Sequence, residues 1–416
     1  MKGISNLLVA EHAEVREVMR SLDQSGLRIV LVVDAKGILR GVVTDGDLRR
    51  ALLAGATLDD PAFKVMNRAF VALHAETPRD EVEMHLSNRI SLVPLVDDNG
   101  IPIDVVVHNR RHYIPAAEPL FEGNELNYVI DCVESGWISS QGAYIRRFES
   151  LFADYCGVQD AVAVANGTVA LHLALRSLGV GVGDEVLVPD LTFAASINAI
   201  LHAGATPVIV DVLPDTLTID PAAVESAISP RTKAIMPVHL YGQMCHMDAL
   251  CNLAQRHGLL MVEDAAEALG SREGGRHAGT FGDAGTFSFF GNKLITTGEG
   301  GMLLFRDPAV ASRARMLRDH GMDPQRRYWH IEVGYNYRMT NLQAAVGLAQ
   351  LEHIDALLAA KLRLAARYRI GLSGLEPLIE LPTTRQGTLH SYWNFPVLLM
   401  STVDQRVRDD LMQRLR

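Results

Sequence analysis

The sequence predicts an α/β protein with a mostly parallel central sheet covered on both faces by helices, preceded by a smaller α+β module. Three observations predict it. Seven short apolar segments between residues 161 and 305 alternate with stretches of helical periodicity. Residues 30–50 align without gaps on residues 93–113, a shift of 63 positions. Between the two regions, "HNRRHYIPAAEP" (108–119) carries two prolines and no periodicity, as a linker would. The expected divisions are 1–112, 113–350 and a last small domain, 351–416.

In the first region each repeat reads strand, tight turn, strand: VLVV–DAKG–ILRGVV, then VPLV–DDNG–IPIDVVV. The turns have the Asp/Gly and Asn/Gly chemistry of hairpins. Amphipathic helices are predicted before them, at 14–26 and 78–89, from apolar residues at helical spacing. Neither copy would bury its sheet face alone, so the two are expected to pack as a pair. The first copy carries "GVVTDGDLRRAL" (41–52); the second has Val107 and Arg110 where the first has Thr44 and Asp47. This region resembles a tandem CBS module. The resemblance implies one adenine-nucleotide site at most, with Thr44 and Asp47 on phosphate and ribose. The alternative is that the pair docks or oligomerises the rest of the chain.

Beyond the linker, strands are predicted at 161–165, 185–189, 206–212, 233–240, 259–264, 285–290 and 300–305. Helical segments such as "TVALHLALRSLG" (168–179) and "HMDALCNLAQRHG" (246–258) separate most of them. Strands this apolar are buried on both faces, and ligands of such sheets bind beyond the strands' carboxyl ends. A long helical run is expected over 341–372, then a strand-like "SYWNFPVLL" (391–399) and a helix in "VDQRVRDDLMQRLR".

Composition narrows the function. The net charge of -10 and pI near 5.8 argue against nucleic acid as a partner, because phosphate backbones need a basic face. No apolar run is long enough to span a bilayer, and the opening residues lack the pattern of a leader, so a cytoplasmic protein is expected, with no membrane partner. The four cysteines have no C-x-x-C spacing; free thiols and no metal site are expected.

Four features fall at predicted strand ends. "NGT" (166–168) opens a helix, where Gly167, Thr168 and the helix dipole make either an anion cradle or an ordinary turn and N-cap. Asp264 ends "LLMVED", placed either to hold a positive ring nitrogen or to cap the next helix. Ser288 ends another strand, and Lys293 follows it in "TFSFFGNKLITTGEGG". The chain has six lysines against 33 arginines, so Lys293 reads as a residue chosen for what a deprotonatable amine does. Amine, anion cradle and carboxylate together describe a site for pyridoxal 5′-phosphate (PLP).

"NGTVALHLAL", "PDLTFAAS", "EDAAEALGS", "GTFGDAGTFSFFGNKLITTGEGG" and "GYNYRMTNLQAAVGLAQLE" resemble the nucleotide-sugar aminotransferases, fold type I PLP enzymes, over about residues 113–400. The resemblance implies that Lys293 bonds the cofactor and shuttles a proton, and that Asp264 pairs with the pyridine nitrogen. Gly167, Thr168 and Ser288 would bind phosphate, Phe193 would lie against the ring, and Glu267 would sit near the 3′-oxygen. Asn336 would reach the phosphate of the neighbouring subunit in a homodimer. Arg327, Tyr328, Trp329 and His330 offer charge and aromatic faces to a nucleotide sugar, or else pack at the dimer interface. Lysine at 293 favours transamination over dehydration, since the related dehydratases carry His there. The implied reaction passes the amino group of L-glutamate to the 4-keto carbon of a nucleotide-linked 6-deoxy sugar, with GDP-4-keto-6-deoxy-D-mannose as the expected acceptor and surface polysaccharide as the destination. A UDP- or dTDP-linked acceptor is the near alternative. An inactive nucleotide-sensing or assembly protein is the distant one, because members of the family run on past the helix at 403–416 and the small domain reads as truncated.

Overall fold

The computed structural model describes residues 4–25, 29–86, 90, 92–107, 117–375, 378–400 and 405–414. Arg110 and the 108–116 part of the expected linker lie outside them. The chain divides into two compact units, Met1–Pro115 and Ala116–Arg416.

The first unit contains β1 (Leu8–Ala10), α1 (Val15–Ser25), β2 (Ile29–Val33), β3 (Leu39–Thr44), α2 (Asp45–Leu53), β4 (Leu73–His74), α3 (Arg79–His85), β5 (Leu92–Val96) and β6 (Pro102–Val107). They make two sheets of like topology, β1-β2-β3 and β4-β5-β6, each with one parallel and one antiparallel pairing. The repeat holds at the level of register: Ile29 faces Thr44 and Leu92 faces Val107, and both ladders slip at the same place, Val32/Val33 and Leu95/Val96. Each hairpin turns on an aspartate. Asp34 Oδ1 accepts the N–H groups of Lys36 and Ile38, and Asp97 Oδ1 those of Asn99 and Ile101. Leu7, Ile29, Leu31, Leu39 and Val42 share a core with Leu92 of the second copy, so the two bury each other's faces.

The second unit begins with α4 (Glu125–Glu134), α5 (Ala143–Cys156), β7 (Ala161–Val164), α6 (Gly167–Ser177), β8 (Glu185–Pro189), α7 (Ala194–His202), β9 (Thr206–Val210), α8 (Pro221–Ala227), β10 (Thr232–Ile235), α9 (Met247–His257) and β11 (Leu260–Asp264). It continues through the short β12 (Arg272–Glu273) and β13 (Arg276–His277) to β14 (Ala284–Ser288), β15 (Gly301–Phe305), α10 (Pro308–Arg318), α11 (Asn341–Glu352), α12 (Ile354–Leu372), β16 (Ile379–Glu380), β17 (Thr388–Leu389), β18 (Leu398–Leu399) and α13 (Gln405–Arg414). Seven strands form the central sheet in the order β7-β15-β14-β11-β10-β8-β9. All pairings are parallel except those of β15, which runs against both its neighbours. β7, β8, β11 and β14 therefore point the same way and end on one edge.

Alternation along the strands splits the core into two layers. Val162, Val164, Val186, Val188 and Leu303 pack with α6, α7 and α10 on one face. Ala161, Ala163, Leu187, Met302 and Leu304 pack with α5, α9 and α11 on the other. The helix starts are written locally: Asn166 caps α6, Asp307 with Pro308 opens α10, and Thr340 with Gln343 forms a capping box on α11.

One expectation is refined and one corrected. The helical run over 341–372 is two helices meeting at His353, whose ring packs so closely on Gly123 that a Cβ there would sit 2.6 Å from it. No glycine or proline stands at the break. The expected strand over 391–399 reduces to Leu398–Leu399; before it, Tyr392 takes a positive φ of 50° and stacks on His390 at 3.9 Å.

Three histidines are buried without a carboxylate partner. Burial pushes His172 and His277 down to about 4 and His390 to about 3, from 6.5. The unfolded chain binds protons at these rings from pH 6.5 downward while the folded chain does not, so these rings' contribution to stability falls as pH drops from 6.5 toward about 3. Melting temperature against pH is expected to show this fall, and His277→Gln to make it shallower; an unchanged slope would contradict the assignment.

Candidate active site

Four sequence-predicted features converge where β7, β8, β11 and β14 end. β7 leads through Asn166 into α6; the Asn166 side chain accepts the Val169 N–H at 3.0 Å. The N–H groups of Gly167 and Thr168 belong to the first turn and have no partner within the helix. Ser288, at the end of β14, lies against Gly167: a Cβ on Gly167 would meet the Ser288 Cβ at 2.8 Å. Glycine is thus required to leave the cradle open. Gly301 does the same one strand over, where a Cβ would meet the carbonyl oxygens of Asn166 and Phe287 at 2.7 and 2.9 Å.

Asp264 ends β11 with only 5 % of its surface exposed. Its Oδ1 accepts the Ala266 N–H at 3.1 Å and its Oδ2 accepts the Ser196 hydroxyl at 2.7 Å. The predicted helix cap is not found, since turns and no helix follow β11; Asp264 instead braces the first of these turns and presents a buried carboxylate. Ser196 is fully buried and bonds onward to Thr192 at 2.7 Å. Phe193 is the N-cap of α7, one turn before Ser196, with 73 % of its surface exposed.

The residue before Asp264 faces the other way, as strand alternation demands. Glu263 accepts the N–H groups of Gly279 and Gly282 at 2.8 and 2.6 Å and bonds His239 Nε2 at 2.9 Å. The Cys245 N–H occupies His239 Nδ1 at 3.2 Å, so the ring is neutral with its proton on Nε2, donated to Glu263. This buried set anchors the loop that feeds β14 and so aims Ser288 and Lys293.

Lys293 lies in the turn after β14, its N–H on the Phe290 carbonyl at 3.0 Å. Its Nζ is 3.6 Å from Glu267 Oε1 and 3.8 Å from the centroid of the Trp393 ring. Burial lowers the lysine's pKa; the Glu267 and Asp264 carboxylates oppose that shift without cancelling it. Burial likewise raises Glu267, against the pull of Lys293. Glu267 also accepts the Tyr241 N–H at 2.7 Å, and the Tyr241 ring stacks at 16° on Trp393. Ser196, Tyr241 and Trp393 escaped the sequence reading. Ser196 was legible in principle, three residues after Phe193 on the same helix face; Tyr241 and Trp393 gave no local signal.

The remaining predicted residues lie elsewhere. Asn336 bridges to Asp319, accepts the Arg338 Nε–H at 3.1 Å, and sits on a strap whose Tyr337 carbonyl takes the Ala165 N–H at 2.9 Å. Arg327 and Tyr328 form one cation–π pair, Trp329 takes Arg326 over its ring, and His330 Nδ1 is 2.9 Å from the His320 carbonyl oxygen. Among the described residues no hydrogen bond, ion pair or ring contact links these four to Lys293, Asp264 or Ser288. In the first unit, Thr44 and Asp47 serve each other: Asp47 Oδ2 accepts the Thr44 N–H and hydroxyl at 2.9 and 2.7 Å, and Arg50 takes Oδ1 at 2.7 Å.

The donor set at the sheet edge fits PLP. A cradle kept open by glycine suits a phosphate, a buried carboxylate suits a protonated ring nitrogen, and a buried primary amine suits the aldehyde. Comparison with known proteins agrees. Residues 119–416 match the DegT/DnrJ/EryC1/StrS aminotransferase family, and residues 5–54 match the CBS domain. The chain is 52 % identical over 300 residues to the GDP-perosamine synthase of Caulobacter vibrioides, covering 71 % of this chain and 81 % of that one. It is 46 % identical over 275 residues to the dTDP-3-amino-3,4,6-trideoxy-alpha-D-glucose transaminase of Streptomyces venezuelae, covering 66 % and 70 %. Among solved structures, the aminotransferase TlmJ of Streptoalloteichus hindustanus superposes with a TM-score of 0.69 at 34 % identity, over 72 % of this chain and 82 % of that one. The chain belongs to the DegT/DnrJ/EryC1/StrS family of PLP-dependent aminotransferases and carries a CBS domain ahead of it.

Proposed function

We propose that the chain transfers the amino group of L-glutamate to the 4-keto carbon of GDP-4-keto-6-deoxy-D-mannose, in the cytoplasm, giving GDP-perosamine for surface polysaccharide. One observation carries the chemistry: the buried Lys293 amine at the strand edge shared by Asp264 and the Gly167–Ser288 cradle. The choice of acceptor is supported by the relatives named GDP-perosamine synthase, at 52 % and 46 % identity.

When bound, PLP supplies an electron sink that makes the proton on the amine-bearing carbon removable. Gly167, Thr168 and Ser288 hold the phosphate, and Asp264, fixed by Ser196 and the Ala266 N–H, keeps the ring nitrogen protonated. Phe193 covers the ring. Lys293 Nζ, held toward its neutral form by burial, would take the proton from the donor's carbon and deliver it to the cofactor, and in the second half would move a proton from the cofactor to the acceptor's carbon. Glu267 holds the protonated amine between these steps at 3.6 Å. Trp393 and Tyr241 keep water from the amine on one side. Arg327–His330 receive the nucleotide, and Asn336 completes a phosphate site across a homodimer. An adenine nucleotide at Thr44 and Asp47 would have to displace their mutual hydrogen bonds, which calorimetry with AMP and ATP tests directly.

The test of function is the visible absorbance of the purified protein with PLP. L-glutamate is expected to remove the band of the bound cofactor, and the GDP-linked keto sugar to restore it. Restoration by only a UDP- or dTDP-linked sugar would replace the acceptor, and a protein that forms no band would overturn the reading.

A further inference from the structure

We infer that Lys361 is a positioning residue, which holds the Trp393 indole over the reacting amine by donating to the Trp393 carbonyl. Lys361 Nζ bonds that oxygen at 3.3 Å. It lines a cavity of about 220 Å³ that Lys293 lines too, with Glu118, Asn292, Gln350, Leu357 and Leu364 among the other walls. Among the described residues no carboxylate pairs with it, and its lowered pKa has burial as its one cause. Burying an ammonium is costly unless its hydrogens are used. Elsewhere on α12 the chain places arginines, at Arg363, Arg367 and Arg369. Among the described residues the Lys361 ammonium has one hydrogen-bond acceptor, the backbone carbonyl of Trp393, and that contact ties α12 to the Trp393 segment.

The far end of Trp393 explains why its placement matters. Its Nε1–H donates to the Asn292 carbonyl at 2.8 Å, next to Lys293, and its ring carries the Lys293 Nζ at 3.8 Å. The contacts close a ring around the amine: Trp393 to Tyr241 by stacking, Tyr241 N–H to Glu267, and Glu267 to Lys293. Lys361 anchors this ring to α12 from outside. The consequence for turnover rests on the proposed function, whereas the positioning itself does not.

The experiment measures how fast an amine-acylating reagent labels Lys293, read by peptide mass, in the full-length protein after L-glutamate treatment. A parallel sample treated with hydroxylamine, which captures the cofactor's aldehyde as an oxime, leaves Lys293 free whether or not L-glutamate is the donor. Lys361→Met, which suits a helix, is expected to raise the labelling rate about fivefold, the scale of a lost cation–π contact, with little change in melting temperature. Lys361→Arg keeps a donor and is expected to return the parent rate. Trp393→Ala should raise the rate likewise, and adding Lys361→Met to it should change nothing further, because both act through one ring. An unchanged rate in Lys361→Met, independent effects in the double variant, or failure of Lys361→Arg to restore the rate in a folded protein would each overturn the inference.

Discussion

Lys293→Ala is expected to lower amino transfer by about 10⁴-fold, the upper range for removing a positioned acid–base group. The amine is the single group at the strand edge that both bonds a carbonyl and carries a proton, and its lowered pKa makes the neutral form accessible. Lys293→Arg is expected to be as inactive, because guanidinium stays protonated at any working pH. The fold should survive both changes, since Lys293 lies in a turn outside the two core layers. Turnover and the band of bound PLP, measured together, separate loss of chemistry from loss of cofactor. Turnover within tenfold of the parent would remove Lys293 from its role.

The second large effect is expected at Asp264. Asp264→Asn keeps the shape and the contact with the Ala266 N–H but removes the charge, and kcat is expected to fall by about 10²- to 10³-fold, as when other preorganised electrostatic groups are lost. The Ser196 hydroxyl, now 2.7 Å from Asp264 Oδ2, can turn to face an amide, so stability should change little. Ser196→Ala tests the support: it leaves the carboxylate with one hydrogen bond fewer and should reproduce a small part of the loss. A kcat for Asp264→Asn within threefold of the parent would mean that the carboxylate only braces its turn.

Much of this site was legible because its parts obey local rules. A strand end followed by Asn-Gly-Thr opens a helix with free N–H groups at its start, and a carboxylate at the end of an apolar strand emerges at the same edge as every parallel neighbour. The antiparallel course of β15 was not legible, since strand direction depends on the connection and not on composition. The break at His353 was not legible either: no glycine or proline marks it, and the ring there packs on Gly123, far away in the chain. The first unit shows the opposite case. Its repeat, visible as a shift of 63 positions, reappears in the structure down to the slipped pairing in each hairpin.

By itself the sequence determined the α/β class, the repeated first unit, the rarity of lysine that singles out Lys293, and the Asp264, Gly167, Thr168 and Ser288 set. Each of these is a property of composition or of a short motif whose geometry follows from the element it ends. Only the tertiary structure decided what surrounds the amine. Trp393 reaches the Lys293 turn from 101 positions beyond Asn292, Tyr241 and Glu267 close the ring, and Lys361 bonds a backbone carbonyl, a contact that leaves no mark on sequence pattern. Those neighbours are chosen by how helices and straps pack on the finished sheet, so they exist only once the chain has folded.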